Sequence, residues 1–116
     1  MKRFNQARII TDGVMTGTNV LTSTVLDLSL IDLVGVQYVW TGTPNGTLSV
    51  QVSNSYDPVS TSGTWSTYTI TLPSVAGAAG NGIASLVDVP YQYVRFRYTN
   101  SSSTGVLNVY SVTKSL

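Results

Sequence analysis

Thr47-Leu48-Ser49-Val50-Gln51-Val52-Ser53 alternates between apolar and polar residues at every step. A period of two places Leu48, Val50 and Val52 on one face and Ser49, Gln51 and Ser53 on the other, the pattern of a half-buried β-strand. Just before it, Thr43-Pro44-Asn45-Gly46 reads as a hairpin turn, because Asn-Gly tolerates positive φ. That turn leads back to a strand over 34–41 with Val36, Tyr38 and Trp40 together on one face. Downstream, 54–64 is a polar loop containing Tyr56-Asp57-Pro58 and Ser62-Gly63. A strand over 65–72 follows, setting Tyr68, Ile70 and Leu72 against Thr67, Thr69 and Thr71.

The same pattern continues to both ends. Gln6-Ala7-Arg8-Ile9-Ile10-Thr11 is a first run, stopped by Asp12-Gly13, and 19–30 is a second, with Leu26, Leu28 and Leu30 sharing a face. The stretch 73–82 is small and flexible. Short strands are expected at 83–87 and 91–99, then a polar turn at 100–105 and a last strand over 106–113. The expectation is an all-β chain: one domain over 1–116, an antiparallel two-sheet β-sandwich of jelly-roll type with about eight strands. A seven-stranded immunoglobulin-like sandwich is the rival, without its Cys pair.

Composition removes whole classes of function. The 116 residues contain no Cys, no His and no Glu, and only 9% are charged. Without Cys there is no disulfide framework, thiol nucleophile or zinc–thiolate site. Without His there is no usual general base, and a Ser-His-Asp triad cannot be built. A net charge of +1 gives no general basic field for nucleic acid, and no apolar run approaches a membrane span. We therefore expect no enzyme, no cofactor, no metal, no nucleic-acid partner and no membrane partner. So little charge offers weak protection against self-association, which suits a surface that sits against partners.

Charge is unevenly placed. No Lys or Arg lies between Arg8 and Arg95, while all five acids, Asp12, Asp27, Asp32, Asp57 and Asp88, do. Residues 1–8, with Arg3 and Arg8, read as a basic N-terminal arm that docks on an acidic neighbour, or as a frayed terminus. Arg95 and Arg97 project from one strand face, and Tyr91 and Tyr93 extend it; Val94, Phe96 and Tyr98 hold the opposite face. Tyr and Arg are favoured at binding hot spots. The candidate interface is thus Arg3, Arg8, Tyr91, Tyr93, Arg95 and Arg97. The bland reading is solvated arginines over an ordinary core strand.

Other constellations are weaker. Tyr56 and Trp65 could form a glycan platform, joined by Tyr91 and Tyr93, and Trp40, also beside a loop, could form one with Trp65; Trp more often fills the core or closes the end of a small sandwich. Asp57 brings one carboxylate to a loop, where calcium wants several. Asp27 and Asp32 match a glycosidase pair in residue type alone; Asp27 sits on an alternating strand and Asp32 at its end, where an acid simply solvates the exit. Asn45-Gly46-Thr47 and Asn100-Ser101-Ser102 match glycosylation sequons, a frequent coincidence in a chain with 31 Ser and Thr.

One resemblance adds to this reading. It is carried by the order Gly46-Thr47-Leu48-Ser49-Val50-Gln51-Val52-Ser53-Asn54, Gly63-Thr64-Trp65, Pro90-Tyr91-Gln92-Tyr93-Val94-Arg95-Phe96-Arg97-Tyr98-Thr99 and Ser102-Ser103-Thr104-Gly105-Val106-Leu107-Asn108-Val109-Tyr110. Over about 34–116 it resembles small β-sandwich virion structural proteins of tailed bacteriophages, by general patterning and not by a chemical signature. The resemblance implies a non-enzymatic part of the phage particle, made in the bacterial host cytoplasm: a capsid decoration or cement protein, or a tail, fibre or connector component. It implies the major capsid protein or other virion proteins as partners and transfers no catalytic residue. A homo-oligomer is expected, with a trimer as the natural state for capsid threefold positions. A carbohydrate- or receptor-binding module is the alternative from a different class.

Overall fold

The computed structural model describes residues 3–115, with side chains from Asn5 onward. Every regular element among them is a strand: β1 (Arg3–Met15), β2 (Val20–Thr22), β3 (Leu26–Asp27), β4 (Leu33–Gly42), β5 (Asn45–Ser53), β6 (Ser66–Thr67), β7 (Val75–Ala76), β8 (Gly80–Val87), β9 (Tyr93–Ser102) and β10 (Gly105–Ser115). They form two antiparallel sheets. The first has the order β1-β10-β4-β8; the second has β2-β9-β5-β6, with β3 also on β9 and β7 also on β5. The two-sheet antiparallel sandwich expected from the alternation is the observed architecture.

The clean alternations hold. Val36, Tyr38 and Trp40 of β4, Leu48, Val50 and Val52 of β5, and Val94, Phe96 and Tyr98 of β9 are all buried between the sheets. Leu107 and Val109 of β10 complete the centre of the core. Each such side chain taken from water contributes about 1.5–3 kcal/mol. Ser53 departs from the pattern: it is buried, and its hydroxyl accepts the Ser55 N–H at 3.1 Å beneath the following loop.

Five local expectations are corrected. Thr43-Pro44-Asn45-Gly46 is not a hairpin turn, because β4 and β5 belong to different sheets. The left-handed residue there is Gly42, at φ 80°, and Gly46 lies within β5. The run at 19–30 is broken at Ser23, whose hydroxyl takes the Phe96 N–H at 2.8 Å, and Thr24 N–H bonds Ile9 O of the other sheet at 3.1 Å. Leu30 is left exposed. The expected strand over 65–72 pairs with β5 only at Ser66 and Thr67. Tyr68, Ile70 and Leu72 still pack against the core, so the alternation marks burial without a ladder. In addition, residues 3–8 are no free arm: they are the first half of β1, in register with β10 from Arg3↔Ser115 to Arg8↔Tyr110. Residues 1 and 2 of that arm lie outside the described residues.

Asp12-Gly13 does not stop β1 either. Asp12 takes φ 47° and donates its N–H to Asn108 Oδ1 at 2.8 Å, in a bulged stretch that continues to Met15. The register shift between Arg8 and Ile10 lets the consecutive residues Ile9 and Ile10 both face the core.

Tyr38 carries a cost inside this core. Its ring is 1% exposed and its hydroxyl has no hydrogen-bond partner. Burial pushes its ionisation well above the ordinary tyrosine value. The proton is therefore held more tightly in the folded state than in the unfolded one. The associated stability is fully present below the unfolded tyrosine pKa, near 10, and is lost as pH rises from there toward the folded value. Tyr38→Phe removes the orphan hydroxyl, whose burial costs about 1–3 kcal/mol. We expect it to raise the denaturant midpoint at pH 7 and to flatten the stability loss above pH 10. A midpoint that falls would show that the hydroxyl has a partner in solution.

Candidate functional site

The outer face of the second sheet gathers most of the aromatic and cationic side chains singled out by sequence. In β9 the inward residues are Val94, Phe96 and Tyr98, so Tyr93, Arg95 and Arg97 point outward. Register sets Ser53, Gln51 and Ser49 of β5 opposite these three. Arg95 Nε donates to Gln51 Oε1 at 2.8 Å, and its guanidinium lies 4.2 Å from the Trp65 ring centroid. Trp65 packs on Tyr56 at 5.3 Å between centroids, and Tyr56 meets Tyr93 edge-on at 5.2 Å. One continuous cluster, Tyr93–Tyr56–Trp65–Arg95, thus joins the expected interface strand to the expected glycan platform.

Local chemistry explains how the 54–64 loop delivers Tyr56 and Trp65. Asp57 Oδ1 accepts the Val59 N–H at 2.9 Å, closing an Asx turn, and Asp57 pairs with Ser62 as an isolated bridge. That backbone bond, with Ser60, holds the Asp57 carboxyl below the usual carboxylate range. Ser55 Oγ accepts the Thr64 N–H at 3.0 Å across the loop's neck. Asp57 is therefore a turn residue. No group of three or more potential metal-ligating side chains occurs among the described residues.

The guanidinium of Arg95 is pushed below its ordinary value, first by burial and second by the neighbouring Arg97. The Arg97 Nε is buried without a hydrogen-bond partner. Beside the cluster, a cleft of about 460 Å³ runs between Tyr56 and Tyr93 on one side and Ser23, Thr24 and Asp27 on the other.

The remaining expected residues are elsewhere. Tyr91 precedes β9 and packs edge-on to Tyr68, with centroids 6.0 Å apart, so it does not extend the Tyr93 face. Arg8 belongs to the first sheet: it lies over the Tyr110 ring at 5.2 Å. It is therefore on the opposite side of the sandwich from Arg95. The side chain of Arg3 lies outside the described residues. Sequence reasoning missed Gln51 as the Arg95 partner, since only the β5–β9 register brings the two together. The sequon at Asn100 is closed, because its side chain is 1% exposed and fully engaged by Tyr98, Gly17 and Ser103.

No protein-family model matches the chain, and no curated protein matches it. Solved structures share its fold. The prophage PBSX exported protein XepA superimposes with a TM-score of 0.64 at 18% identity, over 94% of this chain and 36% of its own. The SPBc2 prophage-derived protein YomS gives 0.59 at 10% identity, over 99% of this chain and 96% of its own. The infectious bursal disease virus Gx strain structure gives 0.59 at 11% identity, over 97% of this chain and 32% of its own. The chain thus spans about a third of the length of the virus and XepA chains. At these identities the likeness is one of fold.

Proposed function

We propose that this protein is a non-enzymatic structural component of a phage particle, and most specifically a capsid decoration or cement protein acting through protein–protein contacts. The observation that carries the reading is the end-to-end match of one sandwich to the prophage-derived YomS, 99% of this chain on 96% of that one. The strand order supports its jelly-roll expectation: β1-β10-β4-β8 faces β2-β9-β5-β6, with the chain passing back and forth between the sheets. In this reading the whole sequence forms one domain, and the major capsid protein is the partner. The protein is made in the host cytoplasm and resides in the virion.

The chemistry of the site agrees with protein contact. Guanidinium and aromatic groups are the usual anchors of protein interfaces. A glycan platform needs a bare ring face, whereas Arg95 and Tyr56 both pack on the Trp65 indole. The cleft beside Tyr56 is the place where the alternative, a carbohydrate-binding module, would have to act.

The direct test is immunogold electron microscopy of particles purified from the producing culture, with mass spectrometry of the same fraction. Label over the capsid shell is the expected result. Label confined to the tail would replace decoration by a tail role, and absence from purified particles would overturn the structural reading. A parallel glycan array should stay flat; hits abolished by Tyr56→Ala in a folded protein would favour the carbohydrate module.

A further inference from the structure

The outer face of the second sheet carries cations with no acid to match them. Strands β2, β5 and β9 contain no Asp or Glu, and their only cations are Arg95 and Arg97. The acid that pairs onto β9 is Asp27 of β3, opposite Tyr93. Its Oδ1 accepts the Ser29 N–H at 2.9 Å and the Ser29 hydroxyl as well, so this carboxylate caps its own turn.

Among the described residues neither arginine is in an ion pair. Arg95 is held between two uncharged groups, the Gln51 side-chain oxygen and the Trp65 ring. The neighbours whose charge acts on it are Arg97, which disfavours its cationic form, and the Tyr56 phenol; no carboxylate is among them. Arg97 stands between two hydroxyl residues, Thr22 of β2 and Ser49 of β5, and its Nε is buried with no hydrogen-bond partner. Two half-buried like charges on one face repel, and an anion laid across them offsets that repulsion.

We propose that Arg95 and Arg97 together receive the carboxylates of an acidic, extended segment of a partner protein. Alternate residues of an extended chain share a face and lie about 6.6 Å apart. Two arginines two apart on β9 therefore match two acids two apart on a segment laid along that strand, one for each guanidinium. The planar guanidinium presents paired N–H donors that fit a carboxylate. Arg95 is set in advance for this role, because its bond to Gln51 and its stack on Trp65 fix the side chain before the partner arrives. The patch is only two charges long on a chain of net charge +1, whereas a nucleic-acid backbone calls for a longer basic track. The proposal rests on the protein-contact reading of this face and names the chemistry of the partner.

The probe is a fluorescein-labelled peptide of alternating aspartate and serine, titrated with the full chain at low salt and read by anisotropy. Arg97→Gln should weaken binding at least tenfold, and Arg95→Gln should act alike, so whichever of the two keeps the wild-type circular dichroism spectrum is decisive. Added salt should weaken binding to the wild type. Arg8→Gln removes the same single charge from the other sheet and should change binding less than twofold. Inorganic phosphate should displace the labelled peptide only at far higher concentration than unlabelled peptide does. No binding by the wild type, equal losses in Arg97→Gln and Arg8→Gln, or displacement by phosphate as readily as by peptide would overturn the proposal. Each of these outcomes is independent of where the immunogold label falls, so the proposal can fail while the particle reading stands.

Discussion

Asn100→Ala is expected to be the most damaging single polar substitution in this protein, lowering the melting temperature by about 12 °C or more. Asn100 is 1% exposed and ties the 98–103 segment to the turn at Gly17 and Asn19. Its Oδ1 accepts the Tyr98 hydroxyl at 2.6 Å, and its Nδ2 donates to Gly17 O at 2.9 Å and Ser103 O at 3.2 Å. Its backbone N–H is bonded as well, to Asn19 O at 2.9 Å. Alanine leaves the side-chain partners unsatisfied, at a cost of about 1–3 kcal/mol for each buried group. About 3 kcal/mol in total is a large share of a typical domain's 5–15 kcal/mol. Tyr98→Phe alone strands only Asn100 Oδ1 and should cost about 1–2 kcal/mol. The double variant should be less damaging than the sum of the two, because the residues share one bond. Calorimetry on the three variants settles it; a melting temperature for Asn100→Ala within about 3 °C of wild type would mean the network is solvated.

Gly46→Ala should be almost as severe, for a steric reason. A Cβ built on Gly46 would fall 2.3 Å from the Tyr98 hydroxyl, 2.4 Å from its Cζ and 2.5 Å from Thr99 O. None of these can retreat easily. Tyr98 is 0% exposed and pinned by Asn100, and Thr99 is backbone in the β9 ladder. Overpacking of a tight core costs about 1–3 kcal/mol, and here the ring must also surrender its hydrogen bond, so about 3 kcal/mol is expected. Gly35→Ala is the built-in control: its Cβ would meet nothing nearer than Val112 O at 4.0 Å. Exchanging glycine for alanine there should leave stability unchanged or raise it by about 0.4–1 kcal/mol. Urea midpoints for the pair measure the difference, and equal midpoints would refute the packing argument at Gly46.

These two residues show how sequence and structure divided the explanation. Asn45-Gly46 carries the composition of a tight turn, and from sequence the glycine looks required for positive φ. In the fold Gly42 takes that conformation, while Gly46 is needed because a tyrosine from β9 lies against it. Likewise Asn100 opens a polar cluster that reads as a loop, yet it is a buried anchor within β9. Both misreadings have one cause. Turn chemistry is local, whereas the reason for these residues is a contact far along the chain, with Tyr98 for Gly46 and with Gly17 and Asn19 for Asn100.

The candidate site was legible in pieces. Arg95 and Arg97 were placed on one outward face by the period of two, and Tyr56 and Trp65 by their position beside a loop. Their union into one cluster was not legible, because it depends on how the 54–64 loop folds back over β9. Tyr91 falls on the same period of two as Tyr93 in the sequence, but the ladder begins only at Tyr93, so its side chain is free to turn to Tyr68. Arg8 shares only its charge with these residues, and the fold puts it on the opposite sheet.

By itself, the sequence determined the all-β class, the inward faces of β4, β5 and β9, and the exclusion of thiol and histidine chemistry. Each follows from residue type or from a period of two, which are properties of a single strand. The tertiary structure decided which strands are neighbours and where strands break. Strand order is set by long-range pairing such as β1 with β10, joining the two ends of the chain. The free energy of such a pairing belongs to both partners together, and neither segment expresses it alone.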